Sequence, residues 1–395
     1  AANVDEDIID SLTGGRLVGS VTSFENFAEC PLRYYLRYGV DLKEREEFTF
    51  SPVNFGVVLH AVIREVCDEI KKNGESYYLI SEEKRREMVK RSVAAITDIY
   101  QNSILKDSSR NSFMIKRMED LADRTVWAMG EQLKCGDFVP FVFEHKFNME
   151  VGDGDRKQLM SGTIDRVDIC ENGTDVYVRI IDYKTGKKDF NIVKTYYGID
   201  IQLMVYMEAA MKLVAKMRPG KNVIPAGVFY YNISDPIVSA TTESAEEIED
   251  KIKGELRLKG MVNSDKDIAE KMDNTEGTSL NIPVSRKADG GFDSRRSKVM
   301  NTEQFNILGR FVDVRAIDTA DRIAGGDIRR SPYKDGQFSS CDRCPYGAVC
   351  GFSVDLPGCN YRKLKKFDDE VLWNNIKEGV DENGKKMDTG AEERD

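Results

Sequence analysis

Three strand-like runs lie close together in the middle of a chain whose other periodic segments are helical. They read FVFEHKFNMEV, LMSGTIDRVDIC and DVYVRIIDYK, and each is rich in β-branched or aromatic residues and bounded by Gly, Asp or Asn. A helical pattern near 198–217 and a fourth strand-like run, VIPAGVFYYN at 223–232, follow them. Strands joined through a helix predict an α/β core with a mixed sheet and additional helices.

Helical patterns flank this core on both sides. Apolar residues share one face of a predicted helix over 54–72, and further helices are predicted over about 82–105, 112–134 and 243–258. Near the N-terminus, Ser23 is predicted to cap a helix that Pro31 must break or restart. A long helix is predicted from 301 to 324, ended by Gly325 and Gly326. The Gly-, Ser- and Asp-rich stretch 273–299 is predicted to be a mobile loop.

These patterns predict one large domain with short extensions. A lead-in covers 1–19, the domain covers 20–366, and a frayed acidic tail covers 367–395. Within the domain we expect a helical insertion at about 54–134, the α/β core at about 139–232, and a helical, cysteine-containing region at about 243–366. The chain lacks an initiator Met, so we expect it to be part of a longer polypeptide.

Composition limits the classes of protein to consider. The 395 residues are 41% hydrophobic and 32% charged, which is typical of a globular chain. No apolar stretch approaches the length of a membrane span, and we expect a cytoplasmic enzyme without a membrane partner. The net charge of −10 does not exclude DNA binding, because only the surface that faces the phosphates must be positive.

Asp165, Asp182 and Lys184 form the central chemical pattern of the core. Residues i and i+2 of a strand point to the same face, so Asp182 and Lys184 project together. Asp165 lies in the preceding strand, which could place it opposite them across a hairpin. Two carboxylates suit Mg²⁺, and a lysine beside the ion can orient or deprotonate a water and stabilise charge on a phosphate.

Taken alone, each of these residues has a simpler interpretation. A single D-x-K on a strand is more often a solvated face, and a single His on an apolar helix, such as His60, is more often a satisfied core group. Glu144, in the strand before Asp165, could add a carboxylate or face solvent. Gln202 and Tyr206 share one face of the helix that follows the lysine strand.

The order of these residues resembles that of RecB-family nucleases, which are members of the PD-(D/E)xK superfamily with a restriction-endonuclease-like core. The shared motifs are G-x-x-x-H ending at His60, G-x-x-D-x-x-D around Asp165, D-Y-K-T-G from Asp182, and Q-x-x-x-Y from Gln202. Four such motifs in order over about 150 residues are a specific match. The resemblance implies that His60, Asp165, Asp182 and the Tyr183 carbonyl bind Mg²⁺ (or Mn²⁺). It further implies that Lys184 acts on the water and that Gln202 and Tyr206 position DNA or the active-site strand.

A second cluster is formed by Cys341, Cys344 and Cys350 in a loop-like stretch. Two thiols three positions apart can chelate one metal centre, and Cys30 is the obvious fourth ligand, more than three hundred residues earlier. Free thiols are the simpler interpretation, and spacing alone does not choose between a zinc site and an iron–sulfur cluster. Cys67 and Cys170 are predicted to be core residues, and Cys135 and Cys359 fall outside the pattern.

The cysteine spacing resembles the iron–sulfur staple of the AddB family of helicase–nuclease subunits. SVTSFENFAECPLRYYLRYGVDL and LPGCNYRKLKK also resemble segments of that family, so the resemblance covers about 18–375. It implies that Cys30, Cys341, Cys344 and Cys350 bind a [4Fe-4S] cluster that ties the two ends of the domain together.

The same resemblance implies a function and a partner. It implies a DNA exonuclease that degrades the strand ending 5′ during double-strand break repair by recombination, paired with an AddA-like helicase–nuclease subunit. The sequence has no G-x-x-x-x-G-K-[ST], so we expect no ATP to be bound by this chain. Two alternatives stay open: a stand-alone iron–sulfur exonuclease of the CRISPR-associated type, and a DNA-end-binding module with incidental cutting.

Overall fold

A computed structural model of the protein describes residues 3–5, 18–43, 52–100, 109–151, 158–238 and 244–392. Within these residues, seven strands form one mixed sheet. They are β1 (Val18–Ser20), β2 (Val139–Val151), β3 (Gln158–Asn172), β4 (Asp175–Lys184), β5 (Asn222–Asn232), β6 (Lys259–Asn263) and β7 (Val299–Met300). The predicted α/β class and mixed sheet are confirmed.

Strand β3 organises the sheet because it has three neighbours. It pairs with β2 antiparallel along most of its length, with β1 parallel over 159–161 and with β4 antiparallel over 166–172. The rest of the order is β4–β5–β6–β7, in which β4 and β5 run parallel. Because a parallel pair needs a crossover, a helix joins β4 to β5.

Helices cover both faces of this sheet. They are α1 (Val21–Glu29), α2 (Pro31–Tyr34), α3 (Pro52–Lys72), α4 (Glu82–Tyr100), α5 (Ser109–Lys134), α6 (Ile192–Tyr196), α7 (Gln202–Met217), α8 (Ala245–Glu255), α9 (Lys266–Met272), α10 (Thr302–Ala324), α11 (Gly347–Cys350) and α12 (Asp369–Glu392). A second, three-stranded sheet contains β8 (Tyr333–Asp335), β9 (Phe338–Ser339) and β10 (Arg362–Lys363). In the part of the chain that the structure describes, no helix combines the length and the apolar character needed to cross a membrane.

Two hydrophobic cores form, one on each face of the sheet. Helices α3, α4 and α5 pack on one face, and this helical layer follows from apolar positions such as Val62 and Val66 at helical spacing. Helices α7, α10 and α12 pack on the other face. Strand β4 contributes alternately to the two cores, with Ile181 on the α3 side and Ile180 on the α7 side.

Most of the predicted helices are confirmed within a few residues. The 54–72 prediction corresponds to α3, the 243–258 prediction to α8 and the 301–324 prediction to α10, which ends at Gly325. Pro31 restarts the N-terminal helix, as expected. Cys67 and Cys170 are buried, as expected of core residues. The helix predicted from 198 begins only at Gln202. Part of the predicted lead-in 1–19 and of the 82–105 helix lies outside the described residues.

Three local predictions are wrong. Ser20, not Ser23, caps α1: its hydroxyl accepts the Ser23 backbone N–H at 3.1 Å, while the Ser23 hydroxyl donates back to the Ser20 carbonyl. The stretch 273–299 is packed, because Ile282 and Val284 are buried and the carboxylate of Asp273 accepts local hydrogen bonds. The segment predicted as a frayed acidic tail forms α12 from Asp369, and apolar residues of this helix join the α7 core.

A buried ion triad joins β3 and β4 on the α3 side. Asp168 accepts two hydrogen bonds from Arg166, at 2.7 and 2.6 Å, and one from Arg179 at 2.8 Å, and all three side chains are at most 1% exposed. Burial acts to raise the pKa of Asp168, but the charges of Arg166 and Arg179 and their hydrogen bonds lower it overall. The last Asp of the G-x-x-D-x-x-D motif is therefore a structural residue in this fold.

Replacing Asp168 with Ala should strongly destabilise the protein. We expect a loss of about 3–5 kcal/mol in the free energy of unfolding, since two guanidinium groups would remain buried without their counter-charge. Because folding lowers the pKa of Asp168, its contribution is complete above the unfolded-state pKa of about 4 and is lost as the pH falls below it.

Urea unfolding of the parent and the variant measures this change. Glu171→Ala on the same strand is the matched control: it removes an exposed ion pair with Arg218 and should cost at most about 1 kcal/mol. Equal effects of the two substitutions would contradict the assignment.

Candidate active site

The site lies at an irregular point of β2 and β3. Beyond this point, the side chains of each strand switch to the opposite faces of the sheet. In β2, Phe143 packs on the α3 side but Phe147 packs on the α7 side, although they are four residues apart. In β3, Ile164 and Val167 both pack on the α7 side, although they are three residues apart. Regular alternation would place Phe143 and Phe147 on the same face, and Ile164 and Val167 on opposite faces. Each strand is therefore irregular at this point.

Glu144 and Asp165 occupy these irregular positions. The register of Phe143 with Arg166 and of His145 with Ile164 sets Glu144 across from Asp165. Glu144 has a φ of +48°, a left-handed conformation that is uncommon for a residue other than glycine and that is often found at functional sites. The irregularity therefore places two carboxylates next to each other at the end of the β3–β4 pairing.

His60 of helix α3 approaches this pair from the neighbouring layer. Its Nδ1 lies 3.4 Å from Asp165 Oδ1 and 3.8 Å from Glu144 Oε1. The ring makes an edge contact with Tyr183, whose centroid is 5.9 Å away. One ligand atom from each of His60, Glu144 and Asp165 lies within 4.8 Å of the others, which is a spacing that suits a metal ion.

Asp182 and Lys184 lie at the end of β4 beside this group. Asp165 Oδ2 accepts the backbone N–H of Tyr183 at 2.6 Å, which ties the end of β4 to the irregular part of β3. Asp182 is 2% exposed and its Oδ2 lies 2.5 Å from Lys184 Nζ. The structure thus brings Asp182 and Lys184 together as the i, i+2 spacing predicts, with Asp182 outside the 4.8 Å group. The proposed role of the Tyr183 carbonyl stays a prediction.

Gln202 and Tyr206 hold Lys184 from the other side. Lys184 Nζ donates to Gln202 Oε1 at 2.9 Å, and Gln202 Nε2 donates to the Tyr206 hydroxyl at 2.9 Å. A Cβ at Gly162 would lie 2.7 Å from the Phe147 ring and 3.0 Å from the Tyr206 ring, so the glycine of the G-x-x-D motif makes room for both rings. The four motifs therefore meet in one network, and the contacts favour a positioning role for the Gln–Tyr pair.

A further group of charged residues near the site was not predicted from the sequence. Helix α7 has no side-chain cap of its own, and Glu25 of α1 supplies one: its carboxylate accepts the backbone N–H groups of Ile201 and Gln202 at 2.9 and 3.0 Å. Asp200 pairs with Lys188 at 3.0 Å and accepts the Tyr230 hydroxyl at 2.6 Å. In the sequence, this group of charged residues was indicated by the two lysines of the GKK run that follows the D-Y-K motif.

The electrostatics of the site favour a bound cation. Burial and then the negative charge of Asp165 raise the pKa of Asp182 to about 7, against an opposing effect of Lys184. Burial and the charge of Asp165 also raise the pKa of Glu144. Burial alone would lower the pKa of His60, but its hydrogen bond to Asp165 and the surrounding carboxylates raise it. Buried carboxylates that repel each other in this way are stabilised by a divalent ion, so the donor set fits Mg²⁺ or Mn²⁺.

The four predicted cluster cysteines line one cavity. Cys30 lies in the extended break between α1 and α2, Cys341 and Cys344 lie in a turn, and Cys350 ends α11. Apolar side chains and two arginines complete the wall: Leu32, Leu36, Pro332, Phe352, Arg33 and Arg330. Residues more than three hundred positions apart therefore converge here, as the spacing and the resemblance predict.

The four cysteines offer the donor atoms of a metal centre. Burial and the neighbouring cysteines raise the pKa of Cys341 and of Cys350. Four thiolate ligands suit a structural zinc site and an iron–sulfur cluster alike.

Comparison with known proteins gives a consistent result. The sequence profile of the PD-(D/E)XK nuclease superfamily matches residues 19–351. The B-type subunits of the ATP-dependent helicase/deoxyribonucleases of Lachnoclostridium phytofermentans and Caldanaerobacter subterraneus are each 34% identical to 98% of this chain, and that of Clostridium acetobutylicum is 34% identical to 96% of it. The chain spans about a third of the length of these relatives, covering 34% of each. The chain belongs to the PD-(D/E)XK nuclease superfamily.

Proposed function

We propose that this domain is a Mg²⁺-dependent deoxyribonuclease that hydrolyses phosphodiester bonds from a DNA end. The observation that carries the proposal is the meeting of His60, Glu144 and Asp165 beside an Asp182–Lys184 pair, at the point where β3 and β4 part. Few functions other than metal-assisted hydrolysis need three carboxylates, a histidine and an oriented ammonium group in one place.

Each residue has a distinct task in this proposal. His60, Asp165 and Asp182, with Glu144, would hold the ion, which supplies a Lewis acid and lowers the pKa of a bound water. The Lys184 ammonium orients the attacking water and stabilises the charge that grows on the phosphate. Gln202 accepts a hydrogen bond from that ammonium and so fixes its direction, and Tyr206 in turn fixes Gln202.

The substrate and partner follow from the relatives. Their names describe them as one of the subunits of an ATP-dependent helicase/deoxyribonuclease, which implies that they act on DNA together with at least one further subunit. We infer that this chain works on DNA ends with an AddA-like helicase–nuclease subunit during double-strand break repair in the cytoplasm, and that it degrades the strand ending 5′. ATP hydrolysis is assigned to other parts of the assembly, because no phosphate-binding G-x-x-x-x-G-K-[ST] motif occurs in this sequence.

We further propose that the cysteine cavity holds a [4Fe-4S] cluster. The meeting of the four cysteines in one cavity supports it, as do the arginines in the wall, which would offset the negative charge of a thiolate-ligated cluster. A cluster that joins Cys30 to Cys341 closes a loop of more than three hundred residues, and so should stabilise the fold by a few kcal/mol of chain entropy.

End-labelled DNA digested with Mg²⁺ tests the nuclease. Asp182→Asn and Lys184→Ala should each lower the cleavage rate at least about a hundredfold, because each removes a group that acts on the reacting atoms. DNA binding should be retained. Asp175→Asn, the same substitution at the far end of β4, is the matched control and should cut at the parental rate. Undiminished cutting by Asp182→Asn, or no cutting by the parent, would exclude the proposal.

Metal analysis of anaerobically purified protein tests the cluster. We expect a brown protein with about four irons per chain, because each of the four cysteines of a [4Fe-4S] cluster binds one iron. Cys30→Ala should lose most of its iron and unfold at a lower urea concentration. Cys359→Ala, which alters a buried cysteine outside the cavity, should keep its iron. A colourless protein with one zinc per chain, or full iron content in Cys30→Ala, would overturn the assignment.

A further inference from the structure

A cleft of about 610 Å³ lies between α6, α10, α12 and the segment that follows β10, outside the site described above. Its walls combine aromatic rings with two basic side chains and one acidic side chain, that of Glu378. We call it the aromatic cleft and define it by Tyr196, Tyr197, Phe311, Arg315, Lys365 and Phe367. Its volume falls within the range typical of ligand-binding clefts.

The rings form a stacked set around an arginine. Tyr196 stacks on Phe311 with centroids 5.4 Å apart, and Tyr197 stacks on Phe367 at 6.4 Å with an angle of 25° between the planes. The Arg315 guanidinium lies over the ring of Tyr196, 5.3 Å from its centroid. Phe311 is buried, whereas Tyr197 and Phe367 are partly exposed and so have surface that a ligand can contact.

Arg315 borders two clefts, and each of them also contains a carboxylate, Glu378 in the aromatic cleft and Asp318 in the smaller one. The Nε of Arg315 is buried and makes no hydrogen bond within the described part of the chain. The smaller cleft shares Arg315 and Tyr197 with the aromatic cleft and adds Arg322 and Arg362. The Nε of Arg362 is also buried and makes no hydrogen bond to any described residue. Across the two clefts the basic residues Arg315, Arg322, Arg362 and Lys365 outnumber the acidic residues Asp318 and Glu378, which favours an anion here.

The cleft is linked to the catalytic network through the chain. Tyr197 ends the turn after α6 and lies five residues before Gln202, which holds Lys184. The Tyr197 hydroxyl accepts the backbone N–H of Lys365 at 3.1 Å, which joins the turn to the segment after β10. On the other side, Arg362 donates to the Ala28 carbonyl, two residues before Cys30. The walls of the two clefts are therefore connected along the chain to Gln202 and by a hydrogen bond to the segment that precedes Cys30.

We propose that the aromatic cleft binds one nucleotide of a single DNA strand that leads to the cleavage site. The base stacks on the partly exposed rings of Tyr197 and Phe367, which any base can do because every base has a π-face. The adjacent phosphate pairs with Arg315 and Lys365. Paired bases cannot reach these rings, so the cleft selects an unpaired strand. This inference rests on the proposed nuclease function and adds a subsite to it.

Fluorescence anisotropy with a labelled single-stranded dT oligonucleotide tests the subsite. The full 395-residue chain is used with Asp182→Asn in all samples, so that the DNA is not cut. Tyr197→Ala should weaken binding of the single strand roughly tenfold, while Tyr197→Phe, which keeps the ring, should bind like the parent. Binding of a blunt duplex should be the same in all three proteins.

Lys365→Gln provides an independent test that does not alter a packed ring. The Lys365 side chain is exposed, and its removal should reduce the slope of log affinity against log salt by about one for the single strand. Urea unfolding of each variant checks that the fold is kept, and if Tyr197→Ala does not fold, the Lys365→Gln slope decides the question.

Three results would overturn the subsite. The first is an unchanged single-strand affinity of a folded Tyr197→Ala together with an unchanged salt slope of Lys365→Gln. The second is an equal loss of single-strand and duplex binding. The third is competition by free dTMP that is as strong as competition by the oligonucleotide. The first two remove the single-strand assignment and the third makes the cleft a mononucleotide site. Each is distinguishable from failure of the nuclease proposal, because DNA digestion by the chain without Asp182→Asn is measured separately.

Discussion

The hydrogen bond from the Tyr183 backbone N–H to the Asp165 carboxylate is the contact on which the site depends. The last regular pair between β3 and β4 is Arg166 with Ile181, and beyond it the Asp165 carboxylate takes an N–H of β4 that the ladder leaves open. A side-chain carboxylate thus takes the place of a backbone carbonyl as the hydrogen-bond acceptor at the point where the two strands separate. Because a buried N–H without an acceptor is costly, the carboxylate is fixed in position by the fold itself.

The two faces of the sheet are both needed to complete the site. Helix α3, from the first layer, brings His60, and helix α7, from the second, brings the Gln202–Tyr206 pair. Neither layer alone contains the donor set. The buried triad around Asp168 holds β3 and β4 together just beyond the site, and the Glu25 carboxylate holds the start of α7. The side chains proposed to bind the ion are therefore supported by both helical layers and by the buried charged groups next to them, as preorganisation requires.

Much of the site could be predicted from the sequence because its residues lie in regular elements. Asp182 and Lys184 share a strand face at i and i+2, and Gln202 and Tyr206 share a helix face at i and i+4, so local periodicity predicted that each pair projects together, while their roles came from the resemblance. The sequence left Glu144 open between a further carboxylate of the site and a solvent-facing residue, because its position depends on a φ of +48° and on a change of face in β2. Glu25 lies far from Ile201 in the sequence, and no local pattern links them.

Two of the three incorrect predictions have a common cause. The stretch 273–299 and the segment from Asp369 were judged on composition, which is rich in Gly, Ser and charge. In both, a few apolar residues determine the outcome: Ile282 and Val284 are buried in the first, and Leu372 and Ile376 in the second. Burial of even a few side chains of this size can order a polar segment when its backbone groups find partners, as Asp273 provides.

The most direct test of the account is the location of the metal ion. Diffraction data collected at the manganese edge from crystals soaked in Mn²⁺ would show the ion as an anomalous peak. The account predicts a peak among the side chains of His60, Glu144 and Asp165, next to Asp182, and its loss in crystals of Asp165→Ala. An ion bound elsewhere in the domain, with none at these residues, would contradict it.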